Sequence, residues 1–318
     1  MMNTERVTLP HGIELDCLVA GDKGRPLMLF LHGFPEAAFV WEPMLEHFSQ
    51  SAHGGYFCVA PNLRGYAGSS SPTDVSAYRA KELVKDVAAL AHHCSPDSPM
   101  ACLVAHDWGG AVAWNLANQK PESLQRLVIL NSPHPGTFLR DLQSDPVQQR
   151  ASDYMNFLIR PDAEQLLSDN DFRRLWAFFT NMDADTGPHA WLTESVKNRY
   201  RQVWQQGLTG ALNYYRASPL RPPRAEDPAA AAIQLPPDML QINVPTLVLW
   251  GMKDMALPPG LVEGLDAYVP RLTLERIKDG SHWLVHEQPA LLCERMGLWL
   301  ASSVACLLYT SPSPRDVE

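Results

Sequence analysis

The run Val104-Ala105-His106-Asp107-Trp108-Gly109-Gly110 sets a carboxylate between a short, apolar, β-prone run (101–104) and a run with helical spacing (111–117). A sharp strand-to-helix turn presents its central side chain as a nucleophile, and Ala105, Gly109 and Gly110 are small enough for strand and helix to pack closely around it. Serine there would attack carbonyls. A carboxylate attacking an ester would give an anhydride, a poor step for hydrolysis, so Asp107 suits displacement at a saturated carbon, which leaves an alkyl ester on the enzyme. The helix N-terminus favours the ionised carboxylate. Asp is equally a common helix N-cap, so Asp107 acquires a chemical reading only through its partners.

Three further motifs supply them: His32-Gly33-Phe34-Pro35 early in the chain, Trp250-Gly251-Met252-Lys253-Asp254 after a late strand, and Gly280-Ser281-His282-Trp283 near the end. Together, and in this order, the four motifs resemble the epoxide hydrolase branch of the α/β-hydrolase superfamily over nearly the whole chain except the tail. The resemblance implies a catalytic set of Asp107 as nucleophile, His282 as the base that takes a proton from water, and Asp254 as the group that orients His282. It implies an oxyanion hole made of the backbone N–H groups of Phe34 and Trp108, and a cis Phe34–Pro35 bond in a turn whose geometry His32, Gly33 and Pro35 provide. Opening an epoxide generates an alkoxide too basic to leave unaided, so an acid is required. Tyr215, in Leu212-Asn213-Tyr214-Tyr215-Arg216, and Tyr154, seven residues before Pro161, match the family's two cap tyrosines and would protonate the ring oxygen. Tyr214 is the neighbour most easily mistaken for Tyr215.

No metal or organic cofactor is implied. The partners expected are an apolar epoxide and water, the product a vicinal diol. A haloalkane or haloacetate dehalogenase would use the same two-step displacement, but Phe34 stands where a halide-binding donor is usual, and Trp108 and Ala111 stand where haloacetate enzymes carry arginines. A non-catalytic ligand-binding homologue would normally lack the nucleophile or the histidine, and both are present. A serine esterase is disfavoured because no G-x-S-x-G occurs.

The elements that must position these groups follow from periodicity. Strand-like runs at 13–20, 26–31, 56–60, 100–105, 124–130, 245–250 and 272–277 alternate with helical patterns such as 77–93 and 111–119, which predicts a mostly parallel sheet with helices on both faces. No helix separates the first two runs, which suggests an antiparallel start. From 136 to 239 the alternation gives way to aromatic-rich helical patterns (153–159, 171–180, 191–206) ending in a Pro- and Ala-rich linker at 218–237. The expected organisation is an α/β-hydrolase core at 1–135 and 240–303, an inserted helical cap with linker at 136–239, and a tail at 304–318. That tail resembles read-through of library adapter sequence and is expected to be disordered and non-native.

Bland readings suffice elsewhere. His92-His93 reads as a solvated helix end, Asn62 to Ser69 as a structural loop, and Trp41, Trp176, Trp191 and Trp204 as lining either core or pocket. The 318 residues are 46% hydrophobic, enough for a large core, and 26 basic against 35 acidic residues give a net charge of -9, which opposes nucleic acid and anionic membranes. Six cysteines without CxxC spacing read as reduced, buried thiols. With no apolar N-terminal stretch or bilayer-length run, a cytoplasmic protein is expected.

Overall fold

A computed structural model describes the backbone of residues 2–308 and the side chains of residues 2–302. Eight strands form one sheet in the order β1-β2-β4-β3-β5-β6-β7-β8: β1 (Asn3–Thr8), β2 (Glu14–Ala20), β3 (Leu27–Leu31), β4 (Phe57–Pro61), β5 (Cys102–His106), β6 (Leu127–Leu130), β7 (Thr246–Gly251) and β8 (Leu272–Ile277). β2 pairs antiparallel with β1 and β4, and every other pairing is parallel.

The five strands β3 to β7 are buried at every residue, because parallel strands joined by helical crossovers are covered on both faces. Their period of two divides the core. Leu27, Leu29 and Leu31 face α2 (Ala80–Cys94) and α3 (Asp107–Gln119), whereas Met28 and Phe30 face α1 (Glu42–Phe48) and the C-terminal helix. Each such side chain contributes about 1.5–3 kcal/mol through burial.

Between β6 and β7 the chain runs through α4 (Pro135–Ser144), α5 (Pro146–Ala151), α6 (Tyr154–Leu158), α7 (Ala163–Thr180), α8 (Glu194–Trp204) and α9 (Thr209–Ala217). After β8 come α10 (Leu284–Glu287) and α11 (Pro289–Leu308). α7 is broken at Asp169 to Phe172, where Asn170, Asp171 and Phe172 have left-handed φ. The insertion is fastened to the motif loops. Trp204 Nε1 donates to Pro35 O at 2.7 Å, and Trp283 Nε1 donates to Phe178 O at 3.1 Å.

Several expectations need correction. The first two predicted strands do not pair: β3 lies between β4 and β5, and β2 finds its antiparallel partners in β4 and in β1, a polar edge strand that carries little hydrophobic pattern. α3 begins at Asp107 rather than 111, and α4, α5 and α9 were not foreseen, α9 because its Asn-Tyr-Tyr run is rich in poor helix formers. The tail expected to be irregular from 304 continues α11 to Leu308, and 309–318 lie outside the described residues. The tryptophans left open are placed in packing: Trp41 and Trp204 are buried, Trp176 packs against Phe179, Tyr200 and Trp204, and Trp191 packs against Phe179 and Tyr200 and stacks on His286. His92 and His93 end α2 exposed, and all five cysteines described are free, four of them buried.

Candidate active site

Parallel strands end at one edge of the sheet, and the loops leaving that edge are brought together. β3 delivers the Gly33-Phe34 turn, β5 delivers Asp107, β6 delivers Asn131, β7 delivers Asp254 and β8 delivers His282. Asp107 has φ +48°, the left-handed conformation in which a non-glycine side chain is strained, and it thereby turns its carboxylate out of the strand and away from its own helix. Glycine is required opposite it. A Cβ on Gly33 would overlap the Asp107 side chain, and one on Gly110 would overlap Ser132. Ser132 Oγ donates to Asp107 O at 2.7 Å and pins the turn.

The carboxylate is not used as a cap. Its Oδ1 accepts the Phe34 N–H at 2.7 Å, while Oδ2 lies 3.8 Å from His282 Nε2. The Trp108 N–H sits in the first turn of α3, where backbone donors have no partner within the helix. The Phe34–Pro35 bond is cis, as the resemblance implied. His32 serves structure: Nε2 accepts the Leu63 N–H at 3.1 Å, and burial lowers its pKa to about 4, so it stays neutral.

His282 Nδ1 lies 2.7 Å from Asp254 Oδ2. Asp254 is at once a turn residue and an orienting one, since its Oδ1 accepts the N–H groups of Ala256 and Leu257 at 2.9 and 2.8 Å. Burial opposes a charge on the imidazole, but Asp254, then Asp107 and Glu36, outweigh it and raise His282 to about 9. Below that pH the resting site holds an imidazolium between two carboxylates. Replacing Asp107 with Asn removes one neighbouring negative charge, and the imidazole inflection followed by NMR should fall by roughly one unit or more. An unmoved inflection would contradict this electrostatic pairing.

Tyr154 and Tyr215 face Asp107 across a cavity of about 250 Å³, with Trp108, Phe138, Met155 and Leu257 among its walls. Tyr215 is held edge-on by Phe34 and Trp108, ring centroids 5.2 and 5.1 Å away, and lies 6.2 Å from the Tyr154 ring. Burial and then neighbouring charges, Asp107 among them, push both phenols up, so both keep their protons. Tyr214 commits its hydroxyl elsewhere, donating to Arg64 O at 2.9 Å. Arg64 in turn forms a buried ion pair with Asp86, which makes the 62–69 stretch the structural loop expected.

Sequence reasoning missed two supports. Asn131, at φ +38°, donates to Asp254 Oδ2 at 2.7 Å and accepts the Gly251 N–H at 2.8 Å, locking the orienting carboxylate; its only signal was an Asn closing a strand. Glu36 is buried and meets His106, His286 and the Tyr200 hydroxyl at 3.1, 2.7 and 2.9 Å, while His106 Nε2 lies 2.8 Å from the His282 carbonyl oxygen. Burial would raise the Glu36 pKa, but the two histidines hold it well below the usual range.

Fold and site geometry agree with sequence comparison: residues 26–289 match the family described as the alpha/beta hydrolase fold, and the chain belongs to that family of enzymes. Within it, the chain falls with the epoxide hydrolases. It is 33% identical over 285 residues to AB hydrolase superfamily protein YfhM of Bacillus subtilis (89% of this chain, 92% of that one), and 33% identical over 288 residues to Epoxide hydrolase 4 of Mus musculus (88% and 74%). Among solved structures, the Bacillus megaterium epoxide hydrolase in complex with an inhibitor matches with TM-score 0.83 at 29% identity, covering 93% of this chain and all of that one.

Proposed function

We propose that the protein hydrolyses apolar epoxides to vicinal diols through an alkyl ester on Asp107, working as an α/β-hydrolase core with the 136–239 insertion as its cap. The observation that carries this reading is one carboxylate whose two oxygens have different partners, facing two protonated phenols across an apolar cavity. Oδ1, bonded to the Phe34 N–H, is the future carbonyl oxygen, and Oδ2 is free to attack the epoxide carbon. The carbon–oxygen bond of the ring breaks, and the ring oxygen takes a proton from Tyr154 or Tyr215.

Esterification removes the negative charge beside His282. The imidazolium loses part of its stabilisation and returns its proton to the phenolate, becoming the neutral base that the second step needs. It then takes one proton from water as the water oxygen attacks the Asp107 carboxyl carbon. The oxyanion forms on Oδ1 against the Phe34 and Trp108 N–H groups, where a single donor is typically worth about 10²- to 10³-fold in rate. Collapse expels the diol oxygen, which takes the second proton of water, and the imidazolium–carboxylate pair is restored.

Phenols suit a leaving oxygen, which must be protonated, better than a halide, which needs only donors. The test is to supply racemic styrene oxide and, separately, 1-chlorobutane and fluoroacetate. The expected result is 1-phenylethane-1,2-diol from the first and no halide release from the others; halide release without diol formation would overturn the assignment.

A further inference from the structure

The cavity leaves Asp107 along one face of α3: Trp108, Ala111 and Asn115 line it in turn, and eight residues of helix carry it about 12 Å from the nucleophile. At the far end it meets Leu235, in the segment the sequence read as linker, and Met239 and Leu240 just beyond it. Met239 is 46% exposed and marks the mouth. Among the described residues lining the cavity there is no Lys, Arg or His, so nothing there is built to hold an anionic substrate.

This wall is thinly attached. Residues 231–241 are mostly exposed, and the short turn Pro237–Met239 closes only its own local hydrogen bonds, Met239 N–H to Pro236 O at 3.0 Å and Leu240 N–H to Pro237 O at 3.1 Å. Two carboxamide side chains tie it down. Gln143 Nε2, on α4, donates to Ala231 O and Ile233 O at 3.2 and 2.8 Å. Asn118 Nδ2, in the last turn of α3, donates to Asp238 O and Gln241 O at 2.9 and 3.0 Å. Both clips reach from helices that also line the cavity, α3 with Asp107 and α4 with Phe138.

We propose that residues 231–241 form the specificity-determining lip of the substrate channel, and that Asn118 and Gln143, by clipping it to α3 and α4, set how far from the reacting carbon an uncharged apolar chain is gripped. The proposal rests on the epoxide hydrolase reading and deepens it. Asn118 and Gln143 are positioning residues, touching no substrate themselves. A segment with exposed backbone and few attachments opens at low cost in free energy, so removing the clips loosens the lip while leaving the sheet edge that holds Asp107 intact.

The test compares the wild type with the double variant Asn118→Ala/Gln143→Ala on terminal epoxides from 1,2-epoxybutane to 1,2-epoxydecane, and on binding of the matching 1,2-diols followed by tryptophan fluorescence. In the wild type, KM and the diol Kd should fall with length, by up to roughly fourfold per buried methylene, until the chain reaches the mouth. The double variant should keep the wild-type kcat on every substrate and the wild-type KM on the C4 epoxide, but lose on the order of tenfold in KM and Kd at C10. A chain-length profile that superimposes on the wild type would overturn the proposal, as would an equal loss at C4 and C10. Met239→Trp, which blocks the mouth without touching the clips, should exclude C10 and spare C4; equal effects on both would also count against the lip. Diol binding separates the two readings: a wild type that turns over no epoxide defeats the epoxide hydrolase assignment, while the length dependence of Kd still decides the lip.

Discussion

His282→Gln should trap the enzyme halfway. With the base gone, Asp107 still attacks, but water at the ester is no longer activated, and intact-protein mass spectrometry should show one equivalent of protein heavier by the mass of one epoxide. Turnover should fall by about 10²- to 10⁴-fold, the usual worth of a positioned proton acceptor. The adduct is expected because the attacking group does not depend on the imidazole: Oδ1 keeps its 2.7 Å bond to Phe34 N–H, and the strained turn that aims Oδ2 is set by Gly33, Gly110 and Ser132. The same treatment of Asp107→Asn should leave the mass unchanged. Loss of turnover in His282→Gln with no adduct would move His282 into the first step, and an adduct in Asp107→Asn would place the nucleophile elsewhere.

Tyr154→Phe/Tyr215→Phe should abolish ring opening with the fold intact. Each phenol alone can polarise the oxygen, so either single variant should keep measurable activity, whereas the double variant leaves the developing alkoxide with no acid facing it across the cavity and should lose at least about 10⁴-fold. Packing is preserved because phenylalanine keeps the ring: the edge-on ring contacts of Tyr215 with Phe34 and Trp108 remain, and what is lost are the hydroxyl's hydrogen bonds to Trp108 and Tyr154. An unchanged melting temperature would confirm this, and more than a tenth of wild-type activity in such a protein would remove both tyrosines from the acid role. The mass experiment adds a further distinction, since the double variant should form no adduct even in a His282→Gln background.

What the sequence made legible was local. The run 100–105 reads as a strand because it is short, apolar and β-prone, the strand forms at Cys102–His106, and the structure shows the close packing expected of the small residues after it: Gly110 lies against Ser132, on the neighbouring β6 loop. Asp254 and His282 came from the resemblance carried by motifs that follow apolar runs, and they meet at 2.7 Å because β7 and β8 are parallel neighbours in register from Thr246↔Leu272 to Gly251↔Ile277. Long-range support was not legible. Asn131 touches Asp254 across 123 positions and Glu36 meets His286 across 250, and nothing in the residues near either asparagine or glutamate signals a partner so far away. The same blindness assigned 218–237 to linker on composition alone, whereas Ser218, Pro219, Leu220 and Leu235 line the cavity. β1 escaped for the opposite reason: an edge strand with one buried residue has almost no hydrophobic signature.

The covalent route is tested most directly by isotope position. One turnover of enzyme in excess over styrene oxide in oxygen-18 water should give unlabelled diol, because the new carbon–oxygen bond uses Oδ2 of Asp107, and should leave one heavy oxygen in the peptide that contains Asp107. Heavy oxygen in the diol on that first turnover, with none in the peptide, would mean that water attacks the epoxide directly and would contradict the alkyl-ester mechanism.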